Sequence, residues 1–238
     1  MNKSKLERFI LKYNLGSSIN SVKWICSKNK LYTRFMTPDK SLLGNICVDD
    51  FQFQDAKLGV YLTDQLQRLL SVVGDNIEMK LVEIDNKAVS LVITDTNVST
   101  NFALADLSVI ADPPSLTKLP TFETKIDIDS VFISTFIRGK GALPDANSFT
   151  VIKNGNVKIV IGHSLTNSNK VTIPVKSSEA FLIDYISFDA NIFKEILLAN
   201  RECSSAVLEI SSKGLAHIVF KVDDFTAEYY LTALQDID

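Results

Sequence analysis

The chain has 238 residues, a formal net charge of −3 at pH 7, 46% hydrophobic residues and 22% charged residues. This is the composition of an ordinary soluble globular protein, and the acidic balance taken alone argues against a nucleic-acid binder with a basic surface. No apolar run reaches the roughly 18 residues that cross a bilayer, and the N-terminus lacks the apolar core of a signal peptide, so we expect a cytosolic protein with no membrane partner.

The first half of the chain is predicted to fold as helix, strands, helix, strands. An opening helix is predicted because apolar residues recur at i, i+3, i+4 and i+7, namely Leu6, Phe9, Ile10 and Tyr13. Ser4 followed by Glu7 predicts a capping box at its start, and Gly16 is placed to end it. The other predicted elements are strands near 20–27, 30–36 and 41–48, a helix from about Thr63 to Val73, and strands near 77–84, 88–95 and 100–104.

Residues 107–121 differ in character from the segments on either side. Three prolines in eight residues favour an extended chain there. We interpret this segment as a connector between a first domain at 1–106 and a second at 122–238. The second half repeats the order of the first, with a strand at 122–127, a helix at about 129–138 ended by Gly139, three strands, a helix at about 189–200 and three strands. Asp127 and Asp129 precede the third helix, where their charge offsets exposed amides.

The two halves also match residue by residue at a spacing of about 127 residues. The matching apolar positions are Leu6, Phe9, Ile10, Ile46, Val48, Phe102 and Leu104 in the first half, and Ile133, Phe136, Ile137, Ile173, Val175, Tyr229 and Leu231 in the second. A turn repeats at 27–31 and 153–157. A period this long is typical of a duplicated domain. Because strands outnumber helices and occur in runs, we predict an α+β fold with two similar domains, antiparallel sheets and helices on one face.

Basic residues collect on the helix sides that face away from the predicted core. On the first helix, Lys5, Arg8 and Lys12 lie within about 60° of one another, opposite the apolar stripe. The candidate set is Lys3, Lys5, Arg8, Lys12, Arg68, Arg138, Lys140, Lys194 and Arg201. Acidic residues are concentrated elsewhere, at Asp49, Asp50, Asp223, Asp224, Glu228, Asp236 and Asp238. Two interpretations stay open: the basic residues are simply solvated, or they form a surface for phosphates in an otherwise acidic protein.

The chain resembles a T-even-type bacteriophage sliding clamp, the processivity factor of a DNA polymerase. The resemblance spans nearly the whole chain. It rests on the opening helix SKLERFILKYN with no strand before it, the second-domain start KIDIDSVFISTFIRGKGALPDANSFTVIKNGNVKIVIG and the closing strand FKVDDFTAEYYLTALQD. It implies the DNA-clamp fold, in which three copies close head to tail into a homotrimeric ring around double-stranded DNA. Helices would line the hole and hold DNA of any sequence through weak phosphate contacts, with sheets on the outside.

The resemblance also implies partners and a location. The partners would be the viral DNA polymerase, a clamp-loader ATPase that opens the ring, and late-transcription factors, in the cytoplasm of an infected bacterial host. The nine candidate basic residues would face the DNA, and we expect reversal of charge at Lys5, Arg8, Lys12 and Lys194 to impair processivity without preventing assembly.

A further implication of the resemblance is a hydrophobic pocket beside the connector that receives short C-terminal peptides of partner proteins. Candidate lining residues are Val109, Ile110, Pro113, Leu116, Tyr230 and Leu231. We expect truncation of Ile110 or Leu116 to weaken binding of a polymerase tail. An alternative stays open, in which these residues only hold the connector on the sheet.

No catalytic site, metal site or cofactor is predicted. The chain contains no GxxxxGK[ST] phosphate loop and no G-x-S-x-G elbow, and neither His163 nor His217 has a carboxylate or cysteine at ligand spacing. The cysteines, Cys26, Cys47 and Cys203, form no CxxC pair and are expected to be reduced. Two alternatives to a clamp are a structural ring protein of a phage particle, which has no need of basic helix faces, and a monomeric processivity factor, which would normally carry a more positive net charge.

Overall fold

A computed structural model describes residues 1–154, 156–164, 168–178 and 184–235. The chain divides into two compact units. Unit 1 comprises Met1–Met36, Gly44–Pro114 and Asp223–Ala227, and unit 2 comprises Thr37–Leu43, Ser115–Val222 and the described residues from Glu228. The change from unit 1 to unit 2 after Pro114 lies within the segment interpreted as a connector. Of the predicted acidic positions, Asp236 and Asp238 lie outside the described residues.

Unit 1 packs two helices against antiparallel strands. Its helices are α1 (Lys3–Asn14) and α2 (Thr63–Leu70), and its strands are β1 (Val22–Ser27), β2 (Lys30–Met36), most of β3 (Leu42–Val48), β4 (Ala56–Val60), β5 (Glu78–Ile84), β6 (Lys87–Thr94) and β7 (Ser99–Ala103). One set of strands lies in the order β3-β2-β1-β4 and the other in the order β5-β6-β7. The core of unit 1 includes edge-to-face contacts of Phe9 on α1 with Tyr13 on the same helix and with Trp24 on β1.

Unit 2 is built in the same way. Its helices are α3 (Ser130–Ala142) and α4 (Ala190–Ala199), and its strands are β8 (Thr124–Asp129), β9 (Ser148–Asn154), β10 (Asn156–Ile161), β11 (Val171–Pro174), β12 (Ser177–Ser178), β13 (Tyr185–Asp189), β14 (Ser205–Ser211), β15 (Leu215–Val222) and most of β16 (Phe225–Thr232). The strands lie in the orders β12-β8-β14-β15-β16 and β11-β10-β9-β13. Phe136, Phe149 and Phe193 form the centre of its core.

The predicted duplication is confirmed by the positions of the elements. Helices α1 and α3 begin at Lys3 and Ser130, helices α2 and α4 at Thr63 and Ala190, and strands β5 and β14 at Glu78 and Ser205. Strand register repeats with the same spacing, since Leu81 pairs with Leu91 in unit 1 and Leu208 pairs with Ile218 in unit 2. The α+β architecture with antiparallel sheets is therefore also confirmed.

Helix α1 begins two residues earlier than the capping box predicted. Its N-cap is Asn2, whose Oδ1 accepts from the Ser4 backbone N–H at 2.9 Å, so the prediction that Ser4 caps the helix is wrong. The expectation for Asp129 is confirmed, because its Oδ1 accepts from the Phe132 N–H at 2.7 Å at the start of α3.

Other elements also differ from their predictions. Between α3 and α4, where three strands were predicted, the structure has five, β9 to β13. Strand β4 was missed because its sequence, AKLGV, lacks the alternation that identifies a half-buried strand. Helix α3 continues through Gly139, which was expected to end it. A Cβ at Gly139 would lie 3.0 Å from Val171 Cγ1 and 3.2 Å from Ile161 Cδ1. The glycine therefore permits close packing of the helix on the strands.

Among the described residues, no helix combines the length and the apolar character needed to cross a membrane.

Candidate nucleic-acid interface

The basic side of α1 faces an acidic turn in unit 1. Lys5 Nζ donates to the Asp50 backbone oxygen at 2.8 Å and forms an ion pair with Asp224. Arg8 Nη2 donates to Asp223 Oδ2 at 3.0 Å. The acidic residues that the sequence placed apart from the basic ones thus neutralise them within the same unit. The turn is 215 residues from Arg8 in sequence, so helical periodicity could not reveal this pairing.

Lys12 does not lie on an exposed helix side. Its exposed fraction is 1%, and its Nζ lies 5.5 Å from the centroid of the Phe225 ring, over which the Arg8 guanidinium also lies at 4.5 Å. The prediction of an outward-facing Lys12 is therefore wrong. The helical wheel identified the side opposite the apolar stripe, but the segment 223–227 covers that side in unit 1.

Lys140 is also buried, with an exposed fraction of 4%. It lies in the last turn of α3, where its Nζ donates to the Pro144 backbone oxygen at 2.8 Å and lies 3.5 Å from the Leu143 oxygen. A cation in this position compensates the unpaired carbonyls of a helix C-terminus. Lys140 is thus a capping residue, and the expectation that it lies on an exposed helix side is wrong.

Three arginines do present charge to solvent. Arg68 on α2, Arg138 on α3 and Arg201 just after α4 are exposed, and no acidic side chain of the described residues forms an ion pair with any of them. Two lysines of the candidate set are partly exposed but engaged. Lys194 lies 3.2 Å from Glu195, and Lys3 donates to the Val73 oxygen at 2.8 Å. Fewer of the nine candidate residues are therefore exposed and without an acidic partner than predicted, and those that are exposed in this way are arginines.

The connector residues differ strongly in exposure. Within unit 1, Ile110 is buried near Gly59 of β4, and a Cβ on that glycine would lie 3.5 Å from Ile110 Cδ1. Val109 is 62% exposed and Pro113 is half-buried. Within unit 2, Leu116 is 43% exposed, whereas Tyr230 and Leu231 are buried. The role of these residues in a peptide pocket stays a prediction, for which Val109 and Leu116 offer accessible apolar surface.

Sequence reasoning missed a polar cluster on the unit 2 sheet. His217 on β15 contacts Glu209 on β14 through Nδ1 at 2.9 Å and Glu228 on β16 through Nε2 at 3.0 Å. Its ring stacks on Tyr230 with centroids 4.5 Å apart, and Tyr230 Oη donates to Glu228 at 2.8 Å. The carboxylates come from neighbouring strands, so no fixed sequence spacing signals them.

Electrostatics within this cluster follow from its contacts. Partial burial acts to raise the pKa of Glu209, but hydrogen bonds from His217 and Lys125 outweigh it and leave that pKa below its usual value. Burial and the neighbouring Glu228 carboxylate raise the pKa of Tyr230, which keeps its hydroxyl protonated as a donor.

Comparison with known proteins identifies the fold. No protein-family model matches the sequence, and no curated protein matches it significantly. Among solved structures, the chain is similar to the crystal structure of the proliferating cellular nuclear antigen of Entamoeba histolytica, with a TM-score of 0.75 and 16% sequence identity. The match covers 98% of this chain and 96% of that chain. The chain therefore has the α+β DNA-clamp fold with two similar units, and at this level of identity the likeness extends to the fold alone.

Proposed function

We propose that this chain is a DNA sliding clamp, a homotrimeric ring that encircles duplex DNA and tethers a DNA polymerase for processive synthesis. The observation that carries the proposal is the duplicated DNA-clamp fold, which matches a proliferating cellular nuclear antigen over nearly the whole chain. Retention by encirclement needs no strongly basic protein, so a net charge of −3 is compatible with the proposal.

Ring closure requires two different edges on each chain that fit each other. Strand β7 ends one unit 1 sheet and strand β11 ends one unit 2 sheet, and no strand of the described residues pairs with the outer edge of either. Their counterparts in the duplication are β16 and β3. Within unit 1, Asp49 N donates to the Asp224 oxygen at 2.9 Å, and within unit 2, Thr232 N donates to the Ser41 oxygen at 2.9 Å.

These hydrogen bonds supply a register for the contact between copies. In these hydrogen bonds residue 41 is opposite 232, and residue 49 is opposite 224. The first residue of each pair moves forward by one repeat and the second moves back by one repeat, which gives the pairs 168/105 and 176/97. The antiparallel pair midway between these two is Thr172 and Asn101. The ring in this proposal therefore pairs β11 of one copy with β7 of the next, with Thr172 opposite Asn101.

The backbone directions of both strands agree with this register. Leu104 N donates to the Val89 oxygen at 2.9 Å, so Asn101, an odd number of residues away, directs its N–H and C=O to the outer edge of β7. Val175 N donates to the Val157 oxygen at 3.4 Å, which by the same alternation places the polar groups of Thr172 at the outer edge of β11. Pro174, which has no N–H, is also typical of an edge strand.

The DNA contacts in this proposal come mainly from Arg68, Arg138 and Arg201. Each is exposed on or next to a helix, and in a homotrimer each contributes three cations to the lining. Contacts to phosphate carry no sequence information and weaken with salt, which suits a protein that slides. Lys5 and Arg8 are paired with acidic residues of their own unit, so they contribute less net charge.

The finer parts of the proposal rest on the resemblance described above. We infer a phage clamp in an infected bacterial host, opened by a separate ATPase loader and used by late-transcription factors as well as by the polymerase. The polymerase attaches through a short apolar peptide, for which the candidate contacts are exposed side chains, Val109 in unit 1 and, separately, Leu116 in unit 2.

A primer-extension assay with the cognate polymerase and loader on singly primed circular DNA tests the clamp function. We expect the wild-type chain to lengthen the products synthesised per binding event. The triple variant Arg68→Glu, Arg138→Glu, Arg201→Glu should shorten them and reduce the salt dependence of DNA binding, because the cations that contact phosphate are reversed.

The matched control reverses the exposed lysines Lys28, Lys40 and Lys213, which changes the net charge equally but lies outside the helices. It should behave as the wild type. Loss of processivity in both variants would point to net charge and not to a helix lining. A wild-type chain without effect on product length would overturn the clamp function and favour a structural ring protein. Stimulation by a chain that stays monomeric would favour a monomeric processivity factor.

A further inference from the structure

The duplication reveals a sheet edge that is covered in unit 2 and open in unit 1. Strand β14 pairs along its outer edge with β8, from Ser205 opposite Asp129 to Ile210 opposite Thr124. Strand β5, which occupies the position of β14 in unit 1, ends its sheet. Among the described residues, only Met1 and Asn2 pair beside it, opposite Ile77 and Asn76. Within the described ranges, the outer edge of β5 from Glu78 to Val82 therefore has no strand beside it.

The consequences of the open edge are visible in burial. In unit 2, Leu208 is completely buried and lies opposite Ile126, which is also completely buried. Its counterpart in unit 1 is Leu81, which is only half-buried, as is Met79. Exposed apolar side chains, Val82 and Ile84, lie at the end of the same strand. Unit 1 thus leaves an incomplete sheet where unit 2 has a closed one.

Backbone groups at this edge point outward in a defined pattern. Ile77 N donates to the Met1 oxygen at 2.9 Å, and the Met1 amino group donates to the Ile77 oxygen at 2.8 Å. By the alternation of an antiparallel strand, Met79 and Leu81 direct their N–H and C=O groups to the same side. A strand that continues this pairing can form up to four backbone hydrogen bonds with them.

A cavity of about 440 Å³ lies beside the end of this edge. It is lined by Leu81 and Glu83 of β5, by Gly59 of β4 and by Ala105, Asp106 and Leu107, which follow β7. Leu81 corresponds to Leu208, which in unit 2 faces Ile126 of β8. A side chain of an added strand opposite Leu81 would therefore enter the cavity.

We propose that the outer edge of β5 binds an extended segment of a partner protein as an added antiparallel strand. The segment carries apolar side chains at alternate positions, opposite Met79 and Leu81, and an acidic side chain between them. The acidic side chain lies opposite Lys80, whose positive charge it complements. In unit 2 the counterpart of Lys80 is Val207, and the β8 residue opposite Val207 is an acid, Asp127. Strand addition of this kind obtains affinity from main-chain bonds and specificity from alternate side chains. The register shift between Val82 and Glu83 ends the usable edge.

The chain's own β8 sequence is a suitable probe, because it has the required pattern. A fluorescein-labelled peptide of residues 122–128, FETKIDI, is titrated against the full chain by fluorescence anisotropy, and amide hydrogen exchange is read by NMR. We expect saturable binding with protection of the Met79 and Leu81 amides. Lys80→Glu should weaken binding several-fold, whereas Lys28→Glu should not change it.

Two N-methylated peptides provide a matched control that leaves the protein unaltered. Methylation at the positions of Ile126 and Ile128 removes the N–H groups that face β5, and should weaken binding at least 10-fold. Methylation at the positions of Lys125 and Asp127 blocks the opposite side and should be tolerated. Equal effects of the two peptides, no saturation at millimolar concentration, or protection of β14 amides in place of β5 would each overturn the proposal.

Discussion

His217 shows how a single residue can connect three strands. Its ring contacts carboxylates on both sides, Glu209 at 2.9 Å and Glu228 at 3.0 Å, and stacks on Tyr230. The cluster therefore couples the charge of Glu209 to the presence of the histidine.

His217→Gln should raise the pKa of Glu209, because it removes the imidazole hydrogen bond, one of the contacts that together outweigh the effect of partial burial. A carboxyl whose pKa is lowered in the folded state stabilises the protein above its unfolded-state pKa of about 4.3, and this contribution is lost as the pH falls through the folded pKa. In the variant, the free energy of unfolding should thus fall less between pH 5 and 3.

An NMR titration of the Glu209 carboxyl and urea unfolding at several pH values measure both effects. The control is His163→Gln at the other histidine of the chain, whose ring lies near Tyr185 with centroids 6.1 Å apart. It should leave the Glu209 titration unchanged. An identical titration of Glu209 in the wild type and in His217→Gln would show that the contacts of His217 do not set this pKa.

At the scale of elements, Gly59 holds β4 close to the turn that follows β7. Ala105 N donates to the Gly59 oxygen at 2.9 Å, and a Cβ at Gly59 would lie 2.2 Å from the Ala105 oxygen. Because a backbone atom cannot turn aside as a side chain can, Gly59→Ala should lower the free energy of unfolding by about 1–3 kcal/mol.

Gly141 provides the matched comparison. It lies in helix α3, and a Cβ there would meet nothing within 4 Å. Gly141→Ala should raise the free energy of unfolding by up to about 0.5–1 kcal/mol, because alanine loses less backbone entropy in a helix. Urea denaturation followed by circular dichroism measures both variants. A Gly59→Ala variant as stable as the wild type would show that β4 and the turn can separate at little cost.

The sequence predicted elements well where local periodicity determines them. The apolar stripe of α1 and the duplicated spacing of helices both appear in the structure, because buried side chains repeat with the period of their element. Strand β4 was missed because Gly59 interrupts the alternation of apolar and polar residues. The glycine is required there by the close approach of Ala105, which is distant in sequence.

The candidate site was predicted less well than the fold, for a physical reason. A helical wheel shows which side of α1 is polar, but not that the 223–227 segment covers this side and buries Lys12 near Phe225. Likewise, Lys140 was assigned to an exposed side because Gly139 was expected to end α3, whereas the helix continues and its last turn uses the lysine. Exposed Arg68, Arg138 and Arg201 depend on no distant segment, and their exposure agrees with the sequence pattern.

For the whole molecule, one duplicated unit accounts for the two kinds of edge in our proposals. Strands β7 and β11 are the counterparts of β16 and β3, whose ends are joined by hydrogen bonds within this chain. We therefore infer that β7 and β11 form the equivalent hydrogen bonds with a second copy of the chain. Strand β5 is the counterpart of one that β8 covers, so a foreign strand is inferred there. The first inference determines whether the chain forms a ring, on which the proposed function depends.

The mass in solution, measured by light scattering over a range of concentrations, tests the ring most directly. We predict a species of three times 26.4 kDa for the wild type and for Thr172→Ala, which keeps the backbone N–H. Thr172→Pro should shift the protein to monomers, because it removes a donor at the edge of β11 and leaves the pairing with β10 intact. A trimer that Thr172→Pro leaves unchanged would place the interface elsewhere. A wild-type monomer at every concentration would contradict encirclement of DNA.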